Sequence, residues 1–165
     1  MKTEMGEYIV GAYLKIIKHC DFIDYNVRPP GGGLSGLTEL DVIGLDFKSQ
    51  TAYLCEVTTH ISGLLYGSGN QSTVEKIKAK HQRQKEYAEK NLSNFPNKRY
   101  MFWSPVVPKG YITTELARID GLELIVNGTY AKCVDELRAI AKNTTNDMGN
   151  PFFRTLQILE HLRRD

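Results

Sequence analysis

The chain has 165 residues, 41% of them hydrophobic and 24% charged, and a formal net charge of +2. That length suits one domain, residues 1–165, with a full core, and the composition excludes collagen-like, disordered and coiled-coil classes. No apolar run approaches the length of a membrane span, and Met1-Lys2-Thr3-Glu4 leads into a helical pattern without an apolar signal core, so a cytoplasmic protein with no membrane partner is expected.

Taken in order, residues 4–20 place Ile9, Val10, Ala12, Tyr13, Ile16 and Ile17 at helical spacing, with Glu7 in the first turn where the helix dipole favours an acid. Phe22 to Val27 reads as a strand, and Pro29-Pro30-Gly31-Gly32-Gly33 breaks it into a flexible loop. Strands over 39–45 and 51–58 follow, joined across Asp46–Gln50 as a hairpin. A glycine-rich segment from His60 to Asn70 precedes a long helix over 72–92, which Ser72 is placed to cap with Glu75 three residues on. A strand over 99–103, a helix over 111–119, a strand over 122–126 and a helix over 131–141 come next. A linker at 143–146 leads to a last amphipathic helix over 152–164, whose Arg163-Arg164 suits a helix C-terminus. An antiparallel meander followed by helix crossovers implies a mixed sheet of about five strands with helices on both faces, a three-layer α/β core.

Cys20, Cys55 and Cys133 form no CxxC pair and no zinc pattern with the four histidines, and read as small buried hydrophobes. From Lys76 to Lys90 the chain carries Lys76, Lys78, Lys80, Arg83, Lys85 and Lys90 against Glu86 and Glu89. That balance suits an anionic partner such as a nucleic-acid backbone, although a solvated helix face looks the same. The glycine-rich segments lack a phosphate-loop Lys-Ser/Thr ending, and Ser62 and Ser104 have no triad context, which disfavours nucleotide triphosphate binding and acyl transfer. Trp103, Tyr100 and Phe102 read as core strand in preference to a base-stacking platform.

The hairpin carries the chemistry. Side chains alternate on a strand, so Asp41 shares a face with Ile43, and Glu56 with Thr58. One carboxylate on each of two paired strands converges on a point, and two carboxylates with water make a Mg²⁺ site. Acids also occupy the wet face of half-exposed strands, and Glu39 and Asp46 read that way. Glu56 follows the apolar run Ala52-Tyr53-Leu54-Cys55, where an uncompensated carboxylate is costly.

The order α-β-β-β-α-β, with Gly6-Glu7 on the first helix, Glu39-Leu40-Asp41-Val42-Ile43 on the second strand and Leu54-Cys55-Glu56-Val57-Thr58 on the third, resembles the PD-(D/E)XK nuclease superfamily. Within it the layout, over roughly residues 4–105, is similar to restriction-endonuclease-like and Holliday-junction-resolvase-like members. The resemblance implies a restriction-endonuclease-like core and hydrolysis of DNA phosphodiesters with Mg²⁺ or Mn²⁺. It implies Asp41 and Glu56 as metal ligands, with Glu7, the helix acid, close enough to share the same metal site. It also admits a homodimer, since many such nucleases cut two strands.

Thr58 departs from that pattern, because the family usually has a lysine there that stabilises the phosphate in the transition state. The helix over 72–92 offers a replacement: Val74, Ile77, His81, Gln84 and Ala88 fall on one stripe, with Lys80 and Tyr87 beside it. Lys80 is the first candidate for a migrated cation and Lys76, one turn earlier, the second. Gln84 and His60 are further candidates, each with a purely structural alternative. Two functions follow: a metal-dependent endonuclease, or a non-catalytic protein of the same fold that binds nucleic acid or a protein partner. Thr58 supports the second; three retained acids weigh against it, because a surface facing phosphates gains nothing from buried negative charge.

Overall fold

A computed structural model describes residues 2–29 and 39–163. The loop expected at Pro30–Gly33, Thr38 and Arg164 lie outside the described residues. The elements run α1 (Met5–Ile16), β1 (Phe22–Val27), β2 (Leu40–Asp46), β3 (Thr51–Val57), α2 (Asn70–Asn91), β4 (Asn97–Ser104), α3 (Tyr111–Ala117), β5 (Leu122–Val126), α4 (Gly128–Ala141) and α5 (Pro151–Leu162). The strands form one sheet in sequence order, antiparallel from β1 to β3 and parallel from β3 to β5. The protein is therefore α/β, with a five-stranded mixed sheet flanked by helices.

Strand β3 is the centre of that sheet and is buried along nearly its whole length, which explains its unbroken apolar run. Its odd-numbered side chains, Tyr53 and Cys55, join Val42, Met101 and Trp103 in a core completed by Val10, Leu14, Tyr130, Leu137 and Phe153 from α1, α4 and α5. Its even-numbered side chains, Ala52 and Leu54, join Ile43 and Ala88, while Phe102 packs with Val74 and Ile77 of α2 and Ile112 and Leu116 of α3. Trp103 is fully buried between Tyr13 and Tyr130, as a core strand residue. All three cysteines are buried and unpaired. Among the described residues no helix is long and apolar enough to cross a membrane.

The start of α2 differs from the sequence expectation. Its N-cap is Gly69, and Ser72 lies three residues inside the helix. The Ser72 hydroxyl donates to the carbonyls of Tyr66 and Gly69 and caps no N–H group. A tertiary link to the preceding segment outweighs the local capping pattern.

Helix α1 lies unusually close to its neighbours. A Cβ at Gly6 would collide with Thr59, and one at Gly11 with the phenol of Tyr25. Alanine at position 11 gains up to about 1 kcal/mol in helix propensity, but overpacking a rigid aromatic costs about 1–3 kcal/mol. The clash wins, so Gly11→Ala should lower the midpoint of urea unfolding with no change in its slope.

Candidate active site

The hairpin register pairs Val42 with Cys55 and Ile43 with Leu54, and one step further along it Asp41 stands opposite Glu56. The Asp41 carboxylate reaches across and accepts the Val57 N–H at 2.7 Å. Both acids line a cleft of about 280 Å³ with Glu39, Leu40, Lys76, Lys80 and Arg83. Strands β2 and β3 form one wall and α2 the other.

The α2 wall follows from the stripe pattern. Val74, Ile77, His81, Gln84 and Ala88 are buried against the sheet, which leaves the neighbouring stripe to face the cleft. From it Lys80 extends its ammonium onto Glu56 Oε1 as an ion pair, with Glu56 almost fully buried. Burial pushes the Asp41 carboxyl above its ordinary value, against the Val57 hydrogen bond and the Lys80 charge. Burial pushes the Lys80 ammonium below its ordinary value; the Asp41 charge opposes this, and Arg83 adds to it.

Lys76 is placed differently. Its ammonium lies 4.4 Å from the centre of the Tyr66 ring, and that ring also meets the edge of His60, 5.8 Å away. Burial suppresses ionisation of the Tyr66 phenol, and the Asp41 charge adds to that effect. The Thr58 hydroxyl lies 3.3 Å from that of Ser104. Tyr66 thus holds Lys76 at the mouth of the cleft, and sequence reasoning missed it. It lies in a glycine-rich segment without periodicity, and its single signal is an aromatic among small residues.

Three candidates stand outside the cleft lining: His60, whose ring packs on Tyr66, Glu7 and Gln84. Glu7 is buried at the α1 N-terminus, where its Oε2 accepts from the Glu4 N–H at 2.8 Å and from the Asn26 amide at 3.2 Å. Its pKa is raised, first by burial, with Asp41 among the smaller contributors. It caps a helix and feels the site without lining it. Gln84 is fully buried and turns its amide to the sheet, donating to the Leu54 carbonyl at 3.0 Å and the Met101 carbonyl at 3.4 Å. Its Oε1 faces His81 Nδ1, and His81 Nε2 meets the Asp120 carbonyl.

The donor set fits a hard cation. Mg²⁺ takes one or two carboxylates, keeps several waters and draws further oxygens from a phosphate. Asp41 and Glu56 supply the two carboxylates. Among the described residues no group of three or more His, Cys, Asp or Glu is arranged to hold a metal ion, and Glu7 lies outside the cleft lining.

No protein-family model, curated protein or solved structure matches this chain.

Two measurements separate these roles. A carboxyl whose folded pKa is raised weakens the fold once ionised; the penalty is absent below its unfolded value near 3.8 and complete above the raised folded value. In metal-free buffer Asp41→Asn should therefore melt higher than wild type at pH 7, and the gap should close as pH falls toward 3.8. Gln84→Leu removes donors from two buried carbonyls and should cost about 1–3 kcal/mol in denaturant unfolding.

Proposed function

We propose that this chain is a metal-dependent endonuclease that hydrolyses DNA phosphodiester bonds on a restriction-endonuclease-like core. The observation that carries the reading is the Lys80 ammonium set on Glu56, opposite Asp41, in one cleft. A lysine two residues after the glutamate would supply charge to that neighbourhood; here α2 supplies it, and Thr58 stands just past the end of β3.

In this reading Asp41 and Glu56 hold Mg²⁺ or Mn²⁺, and Glu7 supports them from the end of α1. A bound divalent ion would lower the pKa of its water and offset the charge that grows on the phosphate. Lys80 pairs with the Glu56 carboxylate and adds positive charge beside the scissile group. Lys76, held on the Tyr66 ring at the cleft mouth, meets a non-bridging phosphate oxygen. The restrained, mutually opposed charges are preorganised, so little reorganisation accompanies the reaction. One observation favours a non-catalytic relative: the Lys80–Glu56 pair already neutralises one of the two acids.

Cleavage of plasmid, single-stranded and branched DNA with Mg²⁺ or Mn²⁺ distinguishes the two. Asp41→Asn and Glu56→Gln should abolish cleavage and also the rise in melting temperature that the ion gives wild type. Lys80→Ala should lower turnover on the order of a hundredfold, the scale of one lost transition-state stabiliser, and Thr58→Lys should restore part of it. Because Lys80→Ala leaves Glu56 buried without its cation, which costs about 3–5 kcal/mol in fully buried pairs, turnover is read well below the variant's own melting temperature. Absence of cleavage by wild type on every substrate and ion would leave the non-catalytic reading.

A further inference from the structure

The cleft does not end at Arg83. Leu40 and Arg83 also line a second cavity of about 200 Å³, whose other walls are Pro29, Glu86, Tyr87, Lys90 and Asn91. The two cavities share Leu40 and Arg83 and so adjoin each other along α2; together they are taken as one groove. Lys76, Lys80, Arg83, Tyr87 and Lys90 are spaced by four, three, four and three residues, one continuous stripe of a helix. Four cations and one aromatic thus face the same groove in single file. The cavities differ in character: the first gathers the carboxylates and Lys80, whereas the second has Leu40, Pro29 and the Tyr87 ring as apolar walls.

We propose, on the nuclease reading above, that this groove binds single-stranded DNA, with one unpaired base stacked on Tyr87 and its sugar-phosphate backbone running along the cationic stripe to the Asp41–Glu56 cleft. A base reaches the face of Tyr87 only when it is unstacked from its neighbours, which a blunt duplex does not offer. From Lys80 to Tyr87 is seven residues of helix, about 10 Å. That spans three nucleotides at a rise of about 3.4 Å, and fewer in an extended strand. The stacked base therefore lies two or three nucleotides from the scissile phosphate. Cations beside an aromatic platform match how sequence-tolerant single-strand sites combine backbone charge with stacking. A blunt duplex, or no nucleic acid at all, is an outcome of the test.

The test is fluorescence anisotropy on the full chain without divalent metal, using a labelled twelve-nucleotide oligothymidine and a blunt hairpin duplex of equal strand length. Single strand should bind at least tenfold tighter than duplex. Tyr87→Ala should weaken single-strand binding about tenfold, the scale of one stacked base, with duplex binding unchanged, while Tyr87→Phe retains wild-type affinity. Since Tyr87 borders the core, a fold defect in Tyr87→Ala is countered by 2-aminopurine placed along the oligonucleotide. On wild type its fluorescence should be quenched at one position and free elsewhere. Lys90→Gln should reduce the salt dependence of binding by about one unit of slope. Equal or tighter duplex binding, or uniform 2-aminopurine fluorescence, overturns this inference even if DNA is cut. Single-strand binding with no cleavage under any metal overturns the nuclease reading and leaves the groove standing. Failure of every oligonucleotide to bind overturns the groove inference, and the cleavage assay with metal then decides the nuclease reading separately.

Discussion

Two carboxylates at one register position of neighbouring strands repel each other, and the half-buried end of this hairpin gives them little water to dissipate the charge. The Lys80 ammonium answers that repulsion from α2, and this contact fixes how α2 sits. For Lys80 to reach Glu56, the adjacent stripe through Val74, Ile77, His81, Gln84 and Ala88 must turn to the sheet, and those are the residues that are buried. Gln84 locks the same rotation by giving its amide to carbonyls of β3 and β4. One ion pair and one amide thus set the helix that walls the cleft. Partly buried ion pairs add little net stability, and apolar replacements of similar volume often fold as well or better. Stability alone therefore gives no reason for charge at positions 41, 56 and 80 together.

The elements were legible because their signals are local. Two apolar runs about a polar turn mark β2 and the doubly covered β3, and a helical stripe marks α2. The convergence of Asp41 and Glu56 follows from the hairpin, since a short turn leaves few registers that keep both apolar faces inside. Lys80 was legible as a residue flanking the buried stripe. Where tertiary contacts decide, the sequence was silent. Ser72 looks like a cap but bonds the carbonyl of Tyr66, a partner six residues away through an irregular segment. Gln84 announced itself as a polar interruption of an apolar face, yet nothing local says that its partners are main-chain carbonyls. Glu7 carried a readable clue in Glu4-x-x-Glu7, because an acid at the third helical position closes on the capping residue. That clue points to a structural duty beside any electrostatic one.

Tyr66 shows why the two cleft lysines are not equivalent. Lys80 faces a carboxylate, so its position is tied to Glu56. Lys76 rests on an aromatic ring, and at an exposed site such a contact contributes about 0.5–1 kcal/mol. It confines the ammonium without neutralising it. An incoming phosphate competes easily with a ring face and poorly with a buried carboxylate. The cleft thus holds one cation that conditions its acids and one that stays available to a ligand, and the difference lies in what each rests on. Since Lys76 is exposed on the same helical stripe as Lys90, its available charge begins a line that continues along the helix. The acids remain confined mainly to the strand wall, with Glu86 as the exception on the helix. An anionic chain lying against the helix meets cations along its length, and meets paired carboxylates at one point, where a divalent cation would turn repulsion into attraction.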